Sequence, residues 1–151
     1  MMIFGMKQKL SEVIRMNILF FLTPKENVAH IEDSDTLRQA LEKMEHRGYA
    51  AIPILTKEGK YIGTVTEGDM LWYLKNHGFP SLRKMEKFSI MEVDRHRDNK
   101  AVNISISMEG LVDKITNQNF VPVVDDNNVF IGIITRKDVI LYLSNKDLVE
   151  G

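Results

Sequence analysis

Two short stretches carry the residue types able to hold a polar ligand: Gly63-Thr64-Val65-Thr66-Glu67-Gly68-Asp69 and Gly132-Ile133-Ile134-Thr135-Arg136-Lys137-Asp138. In each, an apolar strand leads from a glycine into Thr-x-x-Asp at the start of a helix. A threonine there sits among N–H groups that no preceding turn satisfies, and the helix dipole favours an anion beside it. An aspartate at the third helical position can accept hydrogen bonds from hydroxyl groups. The same four residues also form a capping box, which contributes about 0.5–2 kcal/mol and requires no ligand. Capping and binding can coexist. Charge separates the two copies: Arg136 and Lys137 attract an anion, whereas Glu67 repels one. A unit charge about 4 Å from another is worth roughly 4 kcal/mol at an effective dielectric of 20, and less where solvent screens it.

Both stretches belong to a longer repeat. An offset of 69 residues relates the window 52–74 to 121–143 without a gap. The identical pairs are Pro53/Pro122, Ile62/Ile131, Gly63/Gly132, Thr66/Thr135, Asp69/Asp138, Tyr73/Tyr142 and Leu74/Leu143, and most other positions exchange one apolar residue for another. This is an internal duplication, and it decides the architecture.

The elements that must position these residues follow from periodicity. Leu10, Val13, Ile14 and Ile18 predict an amphipathic helix from about Lys7 to Leu22, ending before Pro24. Asn27 to Ile31 reads as a strand, and Asp33-Ser34-Asp35 as helix caps. Leu37, Ala40, Leu41 and Met44 form a helical apolar stripe that Gly48 closes. Strands are expected over Ala51–Leu55 and Tyr61–Val65, around the turn Lys57-Glu58-Gly59-Lys60, before the helix opened by Thr66. The region from Pro80 to Lys100 mixes both charge signs and reads as a helix and a solvated linker rather than a nucleic-acid patch. The second copy replays the order: a strand over Ala101–Ile104, a stripe of Met108, Leu111, Val112 and Ile115, strands Phe120–Val124 and Val129–Ile134, and a helix Thr135–Leu143. The fold class is therefore α/β of the α+β type, a tandem β-α-β-β-α pair. Its segments are an N-terminal helix (1–22), repeat one (23–78), helix and linker (79–100), repeat two (101–145) and a tail (146–151).

Composition narrows the function. The 151 residues carry a net charge of −1, so no overall field recruits nucleic acid or an acidic membrane surface. There is no cysteine, which removes disulfides, thiolate nucleophiles and Cys-type zinc sites. The apolar run Ile18 to Leu22 is too short to span a bilayer and lacks a signal-peptide cleavage pattern, so a cytoplasmic location is the expectation. His30, His46, His77 and His96 are scattered, no Walker-type loop is present, and no nucleophile–base set can be assembled. Neither an enzyme nor a metal site is expected.

The doubled apolar-Pro-apolar strand followed by Gly-x-x-Thr-x-x-Asp resembles a pair of CBS domains, the cystathionine-β-synthase-type regulatory repeats, over roughly residues 23–143. Val28-Ala29-His30-Ile31, Gly48-Tyr49-Ala50-Ala51-Ile52-Pro53 and Thr135-Arg136-Lys137 most resemble the stand-alone subgroup that senses cyclic di-AMP. The resemblance implies a homodimer, two clefts between the repeats for an adenine nucleotide (AMP, ADP, ATP or cyclic di-AMP), and a partner protein that reads occupancy. No required cofactor is implied. It assigns to cleft one Asn27, Val28, Ala29, Tyr49, Ala50 and Ala51 with Thr135, Arg136, Lys137 and Asp138. Cleft two takes Thr66, Glu67 and Asp69 with the 101–104 strand, Asn119, Phe120 and Val121, where bulky Phe120 can plug the space. Small alanines let a planar base approach the backbone, Tyr49 can stack on it, and Arg136 and Lys137 make cleft one the better phosphate site. A second reading stays open: a constitutive dimeric interaction module with vestigial clefts.

Overall fold

The computed structural model describes residues 17–150. In chain order the elements are β1 (Thr23–Pro24), β2 (Ile31–Glu32), α1 (Leu37–Arg47), β3 (Ala51–Leu55), β4 (Tyr61–Thr66), α2 (Glu67–Asn76), α3 (Leu82–Met85), β5 (Val102–Asn103), α4 (Met108–Asn117), β6 (Phe120–Val124), β7 (Phe130–Thr135) and α5 (Arg136–Glu150). Short 3₁₀ turns cover Ile18–Phe21, Lys25–Asn27 and Ile90–Glu92.

Each repeat builds its own sheet. In the first, β2 runs parallel to β3 and β3 antiparallel to β4; in the second, β5, β6 and β7 repeat that arrangement. The register breaks at equivalent places, between Ile54 and Leu55 and between Val123 and Val124. Each sheet has its own core. Leu37, Ala40, Met44, Ile52, Ile54, Val65 and Met70 fill the first, while Leu111, Ile115, Val121, Val123 and Ile134 fill the second. Fully burying one such aliphatic side chain is worth about 1.5–3 kcal/mol, so the helical stripes are what hold α1 and α4 against their sheets.

The repeats meet about a pseudo-two-fold axis that runs between equivalent residues. Lys60 pairs with Val129, the Tyr61 N–H donates to Asn128 O at 3.1 Å, and the Phe130 N–H donates to Gly59 O at 2.9 Å. The rings of Tyr61 and Phe130 stack at 6.2 Å, within a third apolar cluster that includes Val28, Leu55 and Val124.

Several expectations need correction. Most of the helix expected over 7–22 lies outside the described residues; within them, Ile18–Phe21 form a 3₁₀ turn capped by Asn17. The strand expected over 27–31 is reduced to Ile31–Glu32, because Lys25–Asn27 coil into a 3₁₀ turn and Val28 sinks between the sheets. The cap of α1 is Thr36, paired with Gln39, and the Asp35 side chain instead accepts from the Glu32 N–H and Lys43. Gly48 takes the left-handed conformation expected of it, at φ 67°. Thr23–Pro24 join the second repeat's sheet, against Gly132 and Ile133, although they open the first repeat in sequence. The close crossing demands glycine: a Cβ on Gly132 would lie 2.2 Å from Thr23 O. The segment from 146, expected as a tail, continues α5 to Glu150.

Candidate functional site

Both Thr-x-x-Asp stretches begin their helices in the same way. The Glu67 N–H donates to Ala50 O and the Arg136 N–H to Asn119 O, each at 2.9 Å, so each helix start is tied to the residue just before its partner strand. At α2 the capping box closes in both directions: Asp69 N–H donates to Thr66 Oγ1 at 3.1 Å, and Thr66 N–H to Asp69 Oδ2 at 2.9 Å. At α5 only half appears among the described residues, with Asp138 N–H donating to Thr135 Oγ1 at 3.1 Å. Asp138 is exposed, whereas Asp69 is buried.

The linker causes that burial. His96 reaches Asp69 Oδ1 with its backbone N–H and its ring Nδ1, both at 3.0 Å. Burial works to raise the Asp69 pKa, but the N–H groups of His96 and Thr66 outweigh it and hold the carboxyl below its ordinary value. Next to it, Asp98 Oδ1 accepts from Thr64 N–H at 2.7 Å, and Arg95 Nε donates to Asp98 Oδ2 at 2.9 Å. Gly63 makes this possible, since a Cβ there would come within 2.7 Å of both Arg95 and Asp98. The Tyr61 hydroxyl, bonded to Asn99 O and Thr64 Oγ1, closes the strap, and burial pushes its pKa up. The segment expected to be solvated linker is therefore bonded to β4 and α2.

A hollow of about 880 Å³ opens between the repeats, within the usual range for small-molecule sites. Ala50 and Ala51 are among the residues that line it. Thr66, Glu67, Asp69 and Trp72 line the first repeat's side, Asn117, Gln118, Asn119 and Arg136 the second's, and His96 and Arg97 come from the linker. Arg136 Nε donates to Ile115 O at 2.8 Å, which orients the guanidinium. Small residues for a flat ring, amides for its edge and cations for an anion thus share one space.

The structure distributes the expected residues differently from the two separate sets. Ala50, Ala51 and Arg136 of the first set meet Thr66, Asp69 and Asn119 of the second on this one hollow. Val28 and Ala29 border another, of about 660 Å³, beside Lys25, His30, Lys43 and Arg47. Asn27, Lys137 and Asp138 are exposed, Thr135 is half-buried, and Tyr49 packs at the edge of the first core. Phe120 is buried and Val121 lies fully in the second core, and neither lines the inter-repeat hollow. Sequence reasoning passed over His96 and Arg97. The available signal was Gly63, since a glycine inside a strand marks a close approach, but it does not say what approaches. Among the described residues no group of three or more histidines and carboxylates could hold a metal, and no helix is long and apolar enough to cross a membrane.

With this geometry in view, the chain is similar to several known proteins. It is 28% identical to the cyclic di-AMP receptor B of Bacillus subtilis (strain 168) over 129 residues, covering 82% of this chain and 84% of the receptor. A crystal structure of CbpB in complex with c-di-AMP superposes with a TM-score of 0.82 at 26% identity, covering 95% of this chain and 96% of that one. CbpB from Streptococcus agalactiae superposes with a TM-score of 0.76 at 29% identity, covering 94% and 88%. The chain also matches the homoserine O-acetyltransferase of Methanococcus vannielii at 24% identity, but spans only 25% of that enzyme's length. The CBS domain model matches residues 20–76 and 91–145, one match for each repeat, and the chain belongs to the CBS-domain family.

Proposed function

We propose that the protein is a regulatory module that binds an adenine nucleotide between its repeats, with cyclic di-AMP the leading ligand and AMP, ADP or ATP the alternatives. The observation that carries this reading is the inter-repeat hollow, where Ala50 and Ala51 face Asn119 and the oriented Arg136 guanidinium. The alanines leave room for a base, the amide can read its edge, and the guanidinium offers a fork of donors to phosphate. The relatives that carry a cyclic di-AMP receptor's name support the choice of ligand. Binding regulates rather than catalyses, and needs no cofactor. Repeat boundaries of 23–78 and 101–145 around a linker of 79–100 accompany this reading, as does a cytoplasmic location.

Occupancy is read by a partner protein, and the chain works as a homodimer. Leu71 and Trp72 on α2, and their equivalents Ile140 and Leu141 on α5, are all large apolar residues left exposed. Two such faces related by the pseudo-two-fold axis suit a symmetric partner. A ligand biases such an assembly only through different affinity for two of its states.

Calorimetric titration with cyclic di-AMP, ATP and AMP tests the proposal. Binding of at least one is expected, and Arg136→Glu should weaken it about ten-fold or more, because it replaces an attractive charge with a repulsive one. Absence of both heat and a melting shift with all three would leave the constitutive interaction module as the better reading.

A further inference from the structure

The two sides of the inter-repeat hollow draw positive charge from different parts of the chain. On the second repeat's side, Arg136 follows Thr135 directly and is anchored on Ile115 O. On the first repeat's side the equivalent residue is Glu67, which also lines the hollow and repels phosphate. The linker supplies what that repeat lacks. His96 and Arg97 line the hollow from the first repeat's side, where His96 is bonded to Asp69.

Arg97 stands between two tethered neighbours. His96 is held on Asp69 by two bonds at 3.0 Å, and Asp98 by Thr64 N–H at 2.7 Å and by Arg95 at 2.9 Å. Its backbone therefore has little freedom. The Arg97 side chain is exposed and forms no ion pair among the described residues, although Asp94, Asp98 and Glu92 lie close in sequence. A guanidinium on a tethered backbone and left without a carboxylate suits a phosphate, which it can meet with two parallel hydrogen bonds.

We propose that Arg97 is a second phosphate contact, so that the hollow takes a ligand with two separated phosphates, one at Arg136 and the other at Arg97. This inference rests on the nucleotide reading above and deepens it by naming the residue that tells a dinucleotide from a mononucleotide. A mononucleotide satisfies Arg136 and leaves Arg97 in water, whereas a dinucleotide engages both. His96 is a positioning residue in this arrangement: through Asp69 it fixes the backbone that presents Arg97.

The test is calorimetric titration of the full chain and its variants with cyclic di-AMP and with AMP. Arg97→Ala should weaken cyclic di-AMP about ten-fold or more, the loss expected of a charge-assisted hydrogen-bonding group, and change AMP less than about two-fold. Arg97→Lys, which keeps the charge but not the fork, should recover part of the loss. Thermal melting should be unchanged in both variants, because the side chain is exposed. Unchanged cyclic di-AMP affinity in Arg97→Ala, or equal losses for the two nucleotides, overturns the proposal. If the unaltered chain binds nucleotide and Arg136→Glu weakens it while Arg97→Ala does not, only the role of Arg97 falls. If the unaltered chain binds neither of these, this inference falls; if it also fails to bind ATP, the nucleotide reading falls with it.

Discussion

At the start of α2 the Asp69 carboxylate is 3% exposed and accepts from Thr66 and from both the backbone and the ring of His96. At the start of α5 the equivalent Asp138 stands in solvent, and no bond to its carboxylate is made among the described residues. The two stretches share their threonine, their aspartate and the strand-to-helix geometry, so local sequence does not explain the contrast. What differs is the segment that crosses each glycine. The linker, with Arg95 and Asp98, lies over Gly63, and the extended Thr23–Pro24 crosses Gly132. The first crossing brings a histidine onto the aspartate. The second lays down backbone and leaves the aspartate open. A duplicated motif thus ends with its aspartate clasped in one copy and open to solvent in the other, while Thr66 and Asp69 of the clasped copy still line the hollow.

Substitutions at the two glycines should give the largest separation. A Cβ at Gly132 meets the Thr23 carbonyl at 2.2 Å, which is backbone and cannot swing aside, whereas at Gly63 it meets the Arg95 and Asp98 side chains at 2.7 Å. Gly132→Ala is expected to cost about 3 kcal/mol or more in urea unfolding, and Gly63→Ala about 1 kcal/mol. Equal costs would mean that the two crossings are equally yielding.

The aspartates come next. Asp69→Asn should lower stability by about 1–3 kcal/mol, since it loses a charged acceptor of several bonds, and Asp138→Asn by less than about 0.5 kcal/mol. The pH dependence has a definite sign. Because the folded-state pKa of Asp69 is lowered, its contribution is complete above the unfolded carboxylate value of about 4 and disappears as pH falls through the lower folded value. Melting curves of Asp69→Asn should therefore lose part of the acid sensitivity of the unaltered chain, while those of Asp138→Asn should retain it. If both variants behave alike, the His96 clasp does not distinguish the repeats.

The smallest effect is at the caps. Thr66→Ala removes one bond of a closed box and should cost about 1 kcal/mol, with Thr135→Ala costing less because its box is half closed. Thermal melting of the two variants resolves that difference, and a larger loss at Thr135 would reverse the ranking of the two copies.

Much of the scaffold was legible beforehand. Strand Ala51–Leu55, the closing Gly48 and the helices opened at Thr66 and Thr135 lie where apolar periodicity and capping chemistry put them. These features depend on residues within a few positions of one another. The strand near Val28 was misplaced because alternating apolar residues look alike whether they enter a ladder or, as here, fill a gap between two sheets. The grouping of residues on the candidate site was legible in part. Ala50, Ala51 and Arg136 share a hollow, yet Val121 faces the core, and the placement of His96 and Arg97 on that hollow was hidden in a stretch whose mixed charges resemble any solvated surface.

By itself the sequence determined the doubled β-α-β-β-α unit, the two caps and the asymmetry of charge between Glu67 and Arg136, because each of these is written in local spacing and residue type. Only the tertiary structure decided which aspartate is buried, which side of the hollow gains an arginine from the linker, and which sheet Thr23 joins. Those outcomes depend on segments tens of residues apart meeting across a glycine, and short-range pattern carries no record of such meetings.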